Sequence, residues 1–231
     1  MAIASMKNLA LTVSILSLAI LSSPGSIWGA SDVEEMIGKV QESFDRTRAM
    51  TAKFTQETTN KGFGKTMLSY GVVTIVKPLR MRWDYKKPAG LLLVADGKKL
   101  WYFDPEDNVA YFDSLSGYLH PRSPALFLAG DEPLSSIFNI ELASGGKNGK
   151  LGLVSFKLSP KEPQPYVKAI LLTVDDQTYE IRKIVMVDYL GNKNSLTFTN
   201  MNRTASPDMS IFRFEPPAGA KVRAMTKIPG G

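Results

Sequence analysis

Between Lys77 and Tyr85 the chain reads Lys-Pro-Leu-Arg-Met-Arg-Trp-Asp-Tyr. Leu79, Met81, Trp83 and Tyr85 alternate strictly with Arg80, Arg82 and Asp84. Successive side chains of a β-strand point to opposite faces, so this segment has one broad aromatic face and one charged face. A strand of this kind needs a sheet that is buried on one side.

The same period recurs along the chain. Ala52, Phe54, Gln56 and Thr58 share a face, and so do Leu68, Tyr70, Val72, Thr74 and Val76. Asp96-Gly97 is a two-residue hairpin signal between Leu91–Ala95 and Leu100–Phe103. Later strands are expected at Val109–Leu115, from about Ile140, and at Leu151–Leu158, Val167–Val174, Ile181–Tyr189 and Leu196–Asn202. The run Phe212–Pro217 reads as a last short strand stopped by a proline pair. Helical spacing occurs twice. Ser31 and Glu34 form a capping-box pattern ahead of Val33, Met36, Ile37, Val40 and Phe44, which predicts a helix over 31–46. Breakers at His120–Pro124 precede two short apolar helical pieces over 123–138, containing Leu126, Phe127, Leu134, Ile137 and Phe138. Together these elements predict a mainly β fold, one strongly curved, incomplete antiparallel β-barrel of about ten or eleven strands, with helices covering its open concave side.

The 231 residues are expected to comprise a signal peptide over 1–30 and a single domain over 31–231. Lys7 followed by the apolar run Leu9–Leu21 has the shape of a secretory signal and is short for a membrane span. The formal charge of +6 falls to +5 once Lys7 is removed with that segment. The charges are scattered, which argues for a solvated surface and against nucleic-acid binding. There are no cysteines, so stability rests on core packing and no lipid can be attached to an N-terminal Cys.

Catalytic constellations are missing. The single histidine, His120, lies in a Pro-rich turn, and no Gly-x-Ser-x-Gly elbow occurs. One His and no Cys make a transition-metal site improbable. The Gly145–Lys150 run lacks phosphate-loop spacing, and its Asn148-Gly149 pair suits a hairpin. Asp104/Asp107 and Asp175/Asp176 are paired acids at turns, where such residues usually shape the turn. The chain is expected not to be an enzyme, a cell-wall hydrolase being the weakest reading, and no cofactor is called for.

Several strings, in order along the chain, carry a family resemblance. They are Phe54-Thr55-Gln56, Lys77-Pro78, Trp83, Asp96-Gly97, Leu100-Trp101, Asp104-Pro105 and Phe212-x-Phe214-x-Pro216-Pro217-x-Gly219. With a signal peptide and no lipid-accepting Cys, the chain resembles the LolA-type periplasmic lipoprotein carriers. That resemblance implies a periplasmic chaperone, expected to be monomeric. It would take lipoproteins by their acyl chains from an inner-membrane ABC-type releasing complex and deliver them to an outer-membrane lipoprotein receptor. The alternative is a periplasmic lipid-binding or lipoprotein-sensing protein of the same fold. The acyl-chain cavity is assigned to Phe54, Leu79, Met81, Trp83 and Tyr85, and the lid to Leu126, Phe127, Ile137 and Phe138. Lys77 stands where the family often has a lid-holding Arg, and Met81 where it commonly has Phe.

Overall fold

The computed structural model describes residues 30–115, 133–148 and 151–225, with the side chains of residue 30 and of 145–148 left aside. The helix α1 (Ala30–Arg46) is followed by β1 (Ala49–Asn60), β2 (Lys65–Val76), β3 (Arg80–Lys87), β4 (Leu92–Asp96), β5 (Lys99–Asp104) and β6 (Val109–Ser114). A four-residue helix α2 (Leu134–Ile137) leads into β7 (Phe138–Asn148), β8 (Leu153–Pro160), β9 (Ala169–Asp175), β10 (Ile181–Val187) and β11 (Lys193–Asn202). A 3-10 helix (Met209–Phe212) and β12 (Lys221–Ala224) end the described chain.

All the strands form one sheet of 12, in the order β12-β6-β5-β4-β3-β2-β1-β11-β10-β9-β8-β7. Every pairing is antiparallel except that of β12 with β6. The sheet does not close, since β7 and β12 are its two edges. It is nevertheless curled. One buried cluster takes Ala52 and Phe54 from β1, Val73 and Ile75 from β2, Trp83 from β3, Leu100 from β5, Phe156 from β8, Ile170 from β9 and Phe198 from β11. Strands so far apart in a sheet share one cluster only if the sheet wraps around it. The amphipathic α1 lies on this inner side, with Val40 and Phe44 buried and Val33, Met36 and Ile37 packed on the cluster. These five follow the helical spacing read from the sequence.

Several boundaries differ from expectation. The helix already includes Ala30, so Ser31 lies inside it and not before it. On β2 the buried residues are Gly71, Val73 and Ile75. The face bearing Leu68, Tyr70, Val72, Thr74 and Val76 is the outer one. The register decides this, because Gly71 pairs with Phe54. A Cβ on Gly71 would come within 2.9 Å of the Phe54 ring and 2.1 Å of the Asp84 carbonyl oxygen. Glycine is required there by close approach. Phe138 opens β7, opposite Pro160, and is not helical. Gly145–Asn148 belong to β7, so Asn148 is paired in the ladder opposite Leu153 and is not the first residue of a turn, while Gly149 lies outside the described residues.

The Phe212–Pro217 run is not a strand. Phe212 ends the 3-10 helix, and the strand comes after the prolines, at β12. The segment between them covers the outer face of β3–β6. Phe214 stacks near Trp101 (centroids 5.5 Å apart) and Phe103 (5.8 Å), and Trp101 packs on Phe112 at 5.3 Å. Arg82, on the outer face of β3, donates to the Ile211 carbonyl at 3.0 Å and pairs with Asp84 at 2.9 Å. The strand Leu100–Phe103 is therefore apolar on both faces because both are covered.

Candidate functional site

The segment from Leu79 to Tyr85 is brought to the middle of the inner face. Met81 and Trp83 are 0% and 1% exposed, and Phe54 of β1, across β2 from them, is 2% exposed. The Phe54 ring meets Trp83 edge-on at 4.9 Å and Tyr85 at 5.0 Å, an arrangement that aligns ring edges with π faces. Phe198 extends the cluster, 6.4 Å from Trp83. The Trp83 indole N–H points to the Met81 sulfur at 3.4 Å, a soft, weak acceptor. Four of the five expected cavity residues, Phe54, Met81, Trp83 and Tyr85, thus form one patch.

Leu79 is the exception in backbone only. It precedes β3 with φ +58° in the turn after Pro78, yet it still packs against the cluster. A left-handed conformation is uncommon for a residue with a Cβ.

The inner face turns polar beyond the aromatic patch. The Tyr85 hydroxyl donates to Gln56 Oε1 at 2.8 Å, and Gln56 Nε2 donates to Asn194 Oδ1 at 3.0 Å. Burial pushes the Tyr85 phenol well above its ordinary pKa. Burial, helped by Asp104 and Tyr111, pushes Tyr102 up to about 12. Neither is ionised at neutral pH, so the patch presents no charge.

Lys77 is nearly buried and donates from Nζ to the Phe44 carbonyl, 2.9 Å away. The same ammonium lies 3.2 Å from the centroid of the Phe44 ring. It thereby meets the negative end of the α1 dipole. Arg203, just past the end of β11, reaches the same helix end. It donates to the Ser43 carbonyl at 2.8 Å and to Thr47 Oγ1 at 2.9 Å, with Glu180 at 3.5 Å behind it. Nothing in the sequence pointed to Arg203 or Phe44 in this role. Their positions are more than 150 residues apart, and only the β1–β11 pairing brings them together. A shallow recess opens here, lined by Phe44, Met50, Ile75, Lys77, Phe198 and Arg203 among others.

Of the expected lid residues, Phe138 is buried and Ile137 is packed on the core cluster. Leu126 and Phe127 lie outside the described residues, as does His120. The α2 helix is tied to α1, because the Leu134 N–H donates to Gln41 Oε1 at 2.7 Å. The turn acids shape turns. Asp175 Oδ1 accepts the N–H groups of Gln177 and Thr178, and Asp104 accepts that of Glu106. The Thr178 N–H above all holds the Asp175 carboxyl below the usual range.

An unclosed antiparallel sheet, aromatic on the inside and covered there by a helix, defines a half-barrel with an apolar interior. The chain belongs to the LolA family: the model of the outer membrane lipoprotein carrier protein LolA matches residues 45–215. An outer-membrane lipoprotein carrier protein of Chromobacterium violaceum is 30% identical over 176 residues, covering 76% of this chain and 81% of that one. One of Dechloromonas aromatica is 26% identical over 186 residues, covering 80% and 86%. The crystal structure of an uncharacterized conserved protein from Thermus thermophilus shares the fold. Its TM-score is 0.51 at 14% identity, covering 83% of this chain and 98% of that one.

Proposed function

We infer that this chain is a periplasmic chaperone that carries outer-membrane lipoproteins by their acyl chains. Family membership supports the reading. The observation that carries it is the uncharged patch of Phe54, Met81, Trp83, Tyr85 and Phe198 inside a sheet that, among the described residues, does not close. An interior of this kind offers acyl chains an apolar surface without covalent chemistry or a cofactor.

Met81 and Trp83 are buried, so acyl chains reach them only when the cover moves. Phe54, Leu79, Met81, Trp83 and Tyr85 then line the acyl site, and the segment 123–138, with Leu126, Phe127, Ile137 and Phe138, acts with α1 as the moving cover. Lys77 steadies the closed state. Burying acyl chain gives about 0.8 kcal/mol per CH₂, so three long chains of roughly 45 such groups would give on the order of 36 kcal/mol if fully buried. Non-covalent affinities level off near about 18–21 kcal/mol. The carrier therefore holds only part of the chains, or holds them imperfectly, and stays weaker than its acceptor. An ABC-type releasing complex in the inner membrane supplies the cargo, an outer-membrane receptor takes it, and the carrier works as a monomer. Residues 1–30 direct export as a cleaved signal.

Native mass spectrometry of the protein co-expressed with a model lipoprotein tests this. A one-to-one complex is expected, lost when the lipoprotein lacks its acylated Cys. Recovery of free phospholipid alone would overturn the assignment in favour of lipid binding.

A further inference from the structure

Phe63 and Leu190 are 86% and 78% exposed, more than any other large hydrophobic side chain among the described residues. Phe63 sits at the tip of the β1–β2 hairpin, in the turn Lys61-Gly62-Phe63-Gly64, and Leu190 in the β10–β11 loop. Turns at loop tips ordinarily take polar residues. Neither side chain contributes to the core.

The two loops are joined. The Lys61 main-chain N–H donates to Asn192 Oδ1 at 2.9 Å. The Lys61 stem lies across Gly191, where an added Cβ would come within 2.8 Å of Lys61 Cδ. Each loop is also fixed internally. The Phe63 N–H donates to Asn60 Oδ1 at 3.1 Å. The Asp188 carboxylate accepts the N–H groups of Leu190 and Asn192 and the Asn192 side-chain amide.

This joined tip projects past its neighbour. The β1–β2 ladder continues to Asn60 and Lys65, and β1–β11 to Thr59 and Lys193, while β3 stops pairing at Tyr70. Beyond that point Met67 and Leu68 are about half exposed, and Tyr189 adjoins Leu190 with more than half of its surface free. Lys61, Lys65 and Lys193 are exposed around the tip, and none is in an ion pair among the described residues. Of the nearby acids, Asp188 is engaged by its own loop and Glu57 lies further back along β1.

We propose that the joined tips of the β1–β2 and β10–β11 loops are a contact site for a bilayer surface containing anionic phospholipid. Phe63 and Leu190 would enter the boundary between headgroups and acyl chains, Tyr189 would sit at headgroup level, and the three ammonium groups would face lipid phosphates. Phe63, between two glycines, and Leu190, before one, suit insertion into a deformable interface, and the exposed lysines give it a preferred charge. The contact needs no cargo, so its failure is distinguishable from failure of the carrier reading.

Co-sedimentation of the purified, empty protein with phosphatidylethanolamine–phosphatidylglycerol vesicles tests the proposal, with phosphatidylcholine vesicles as the neutral comparison. Binding to the anionic vesicles is expected, weakening as salt is raised. Phe63→Ser and Leu190→Ser should each lower it about tenfold, and both, being fully outside the core, should leave the circular dichroism spectrum unchanged. A Phe63→Trp variant should shift its emission to shorter wavelength on anionic vesicles only. No partition of the unmutated protein, or equal partition of the doubly substituted one, would overturn the proposal. So would a loss of delivery by the double variant in a vesicle-free assay without any loss of vesicle binding, which would make the tip a protein contact.

Discussion

The ammonium of Lys77 touches Phe44 twice, donating to its carbonyl at 2.9 Å and lying 3.2 Å from its ring centroid. One side chain from the β2–β3 turn thus holds the last turn of α1 against the sheet. Lys77→Leu removes the donor and the cation together. A stability loss of about 1–3 kcal/mol is expected, with stronger binding of an apolar dye by the empty protein and slower transfer to the receptor. Lys77→Arg keeps the charge and adds a planar fork, and should retain most of the transfer rate. Transfer at the unmutated rate by Lys77→Leu would reduce Lys77 to a structural contact.

Arg203 reaches the same helix end from the opposite side. Arg203→Met should leave the Ser43 carbonyl and the Thr47 hydroxyl with only their bond to each other, each losing its guanidinium donor, at a cost of about 1–3 kcal/mol. Hydrogen exchange is the sensitive readout. Amides in the last turn of α1 should exchange faster while those of β8 and β9 do not change. Uniform acceleration across the sheet would point to general destabilisation instead.

The inner and outer faces should separate by mutation. Met81→Glu places a carboxylate where exposure is 0% and should abolish loading of a model lipoprotein, because an uncompensated buried charge is costly. Met81→Leu, similar in volume, should fold and load normally. On the outer face, Phe212→Ala should cost about 3–5 kcal/mol of stability and leave the affinity of the folded protein for cargo unchanged. Loss of cargo affinity by Phe212→Ala at a temperature where the protein is folded would contradict the division of labour between the faces.

Alkaline pH offers a further check. Tyr102 is raised to about 12 and Tyr85 is raised as well, each chiefly by burial, whereas an unfolded tyrosine titrates near 10. Above about pH 10 the unfolded chain loses phenolic protons that the folded chain keeps, so stability is full below that pH and falls as pH rises toward about 12. Tyr102→Phe should flatten the fall, by up to ~1.4 kcal/mol per pH unit for one group. Denaturant midpoints measured between those limits decide it, and an identical slope in both proteins would refute the assignment.

Much of this was legible in the sequence. The alternation from Leu79 to Tyr85 specifies a face, and Asp96-Gly97 specifies a turn. In that turn Asp96 Oδ1 takes the N–H groups of Lys98 and Lys99, and Gly97 adopts φ +97°. The α1 stripe was readable for the same reason, because it is local. Period alone did not say which face of β2 is buried, since Val72 and Val73 are chemically equal and only the contact of Gly71 with Phe54 decides. The proline pair after Phe214 suggested that a strand ends there. In fact Phe214 packs its ring on Trp101 and Phe103, a contact that no local pattern encodes. Arg203 was invisible because the helix end it holds, at Ser43 and Thr47, lies at the other end of the chain.

The strand order has a consequence for how the chain assembles. Apart from β12, which pairs in parallel with β6, the sheet consists of two meanders, β1–β6 and β7–β11, each built from neighbours in sequence. A single non-local junction, β1 with β11, joins them. Each meander can form by local hairpin closure, but the junction requires the ends of a long loop to meet, which is the slow kind of contact. A chain made or exported from its N-terminus therefore holds β1 as an open edge until Lys193 and the residues after it arrive. During that interval the edge exposes Phe54 and a row of unpaired amides, a template for the wrong partner. The most vulnerable moment of this protein comes before its interior exists.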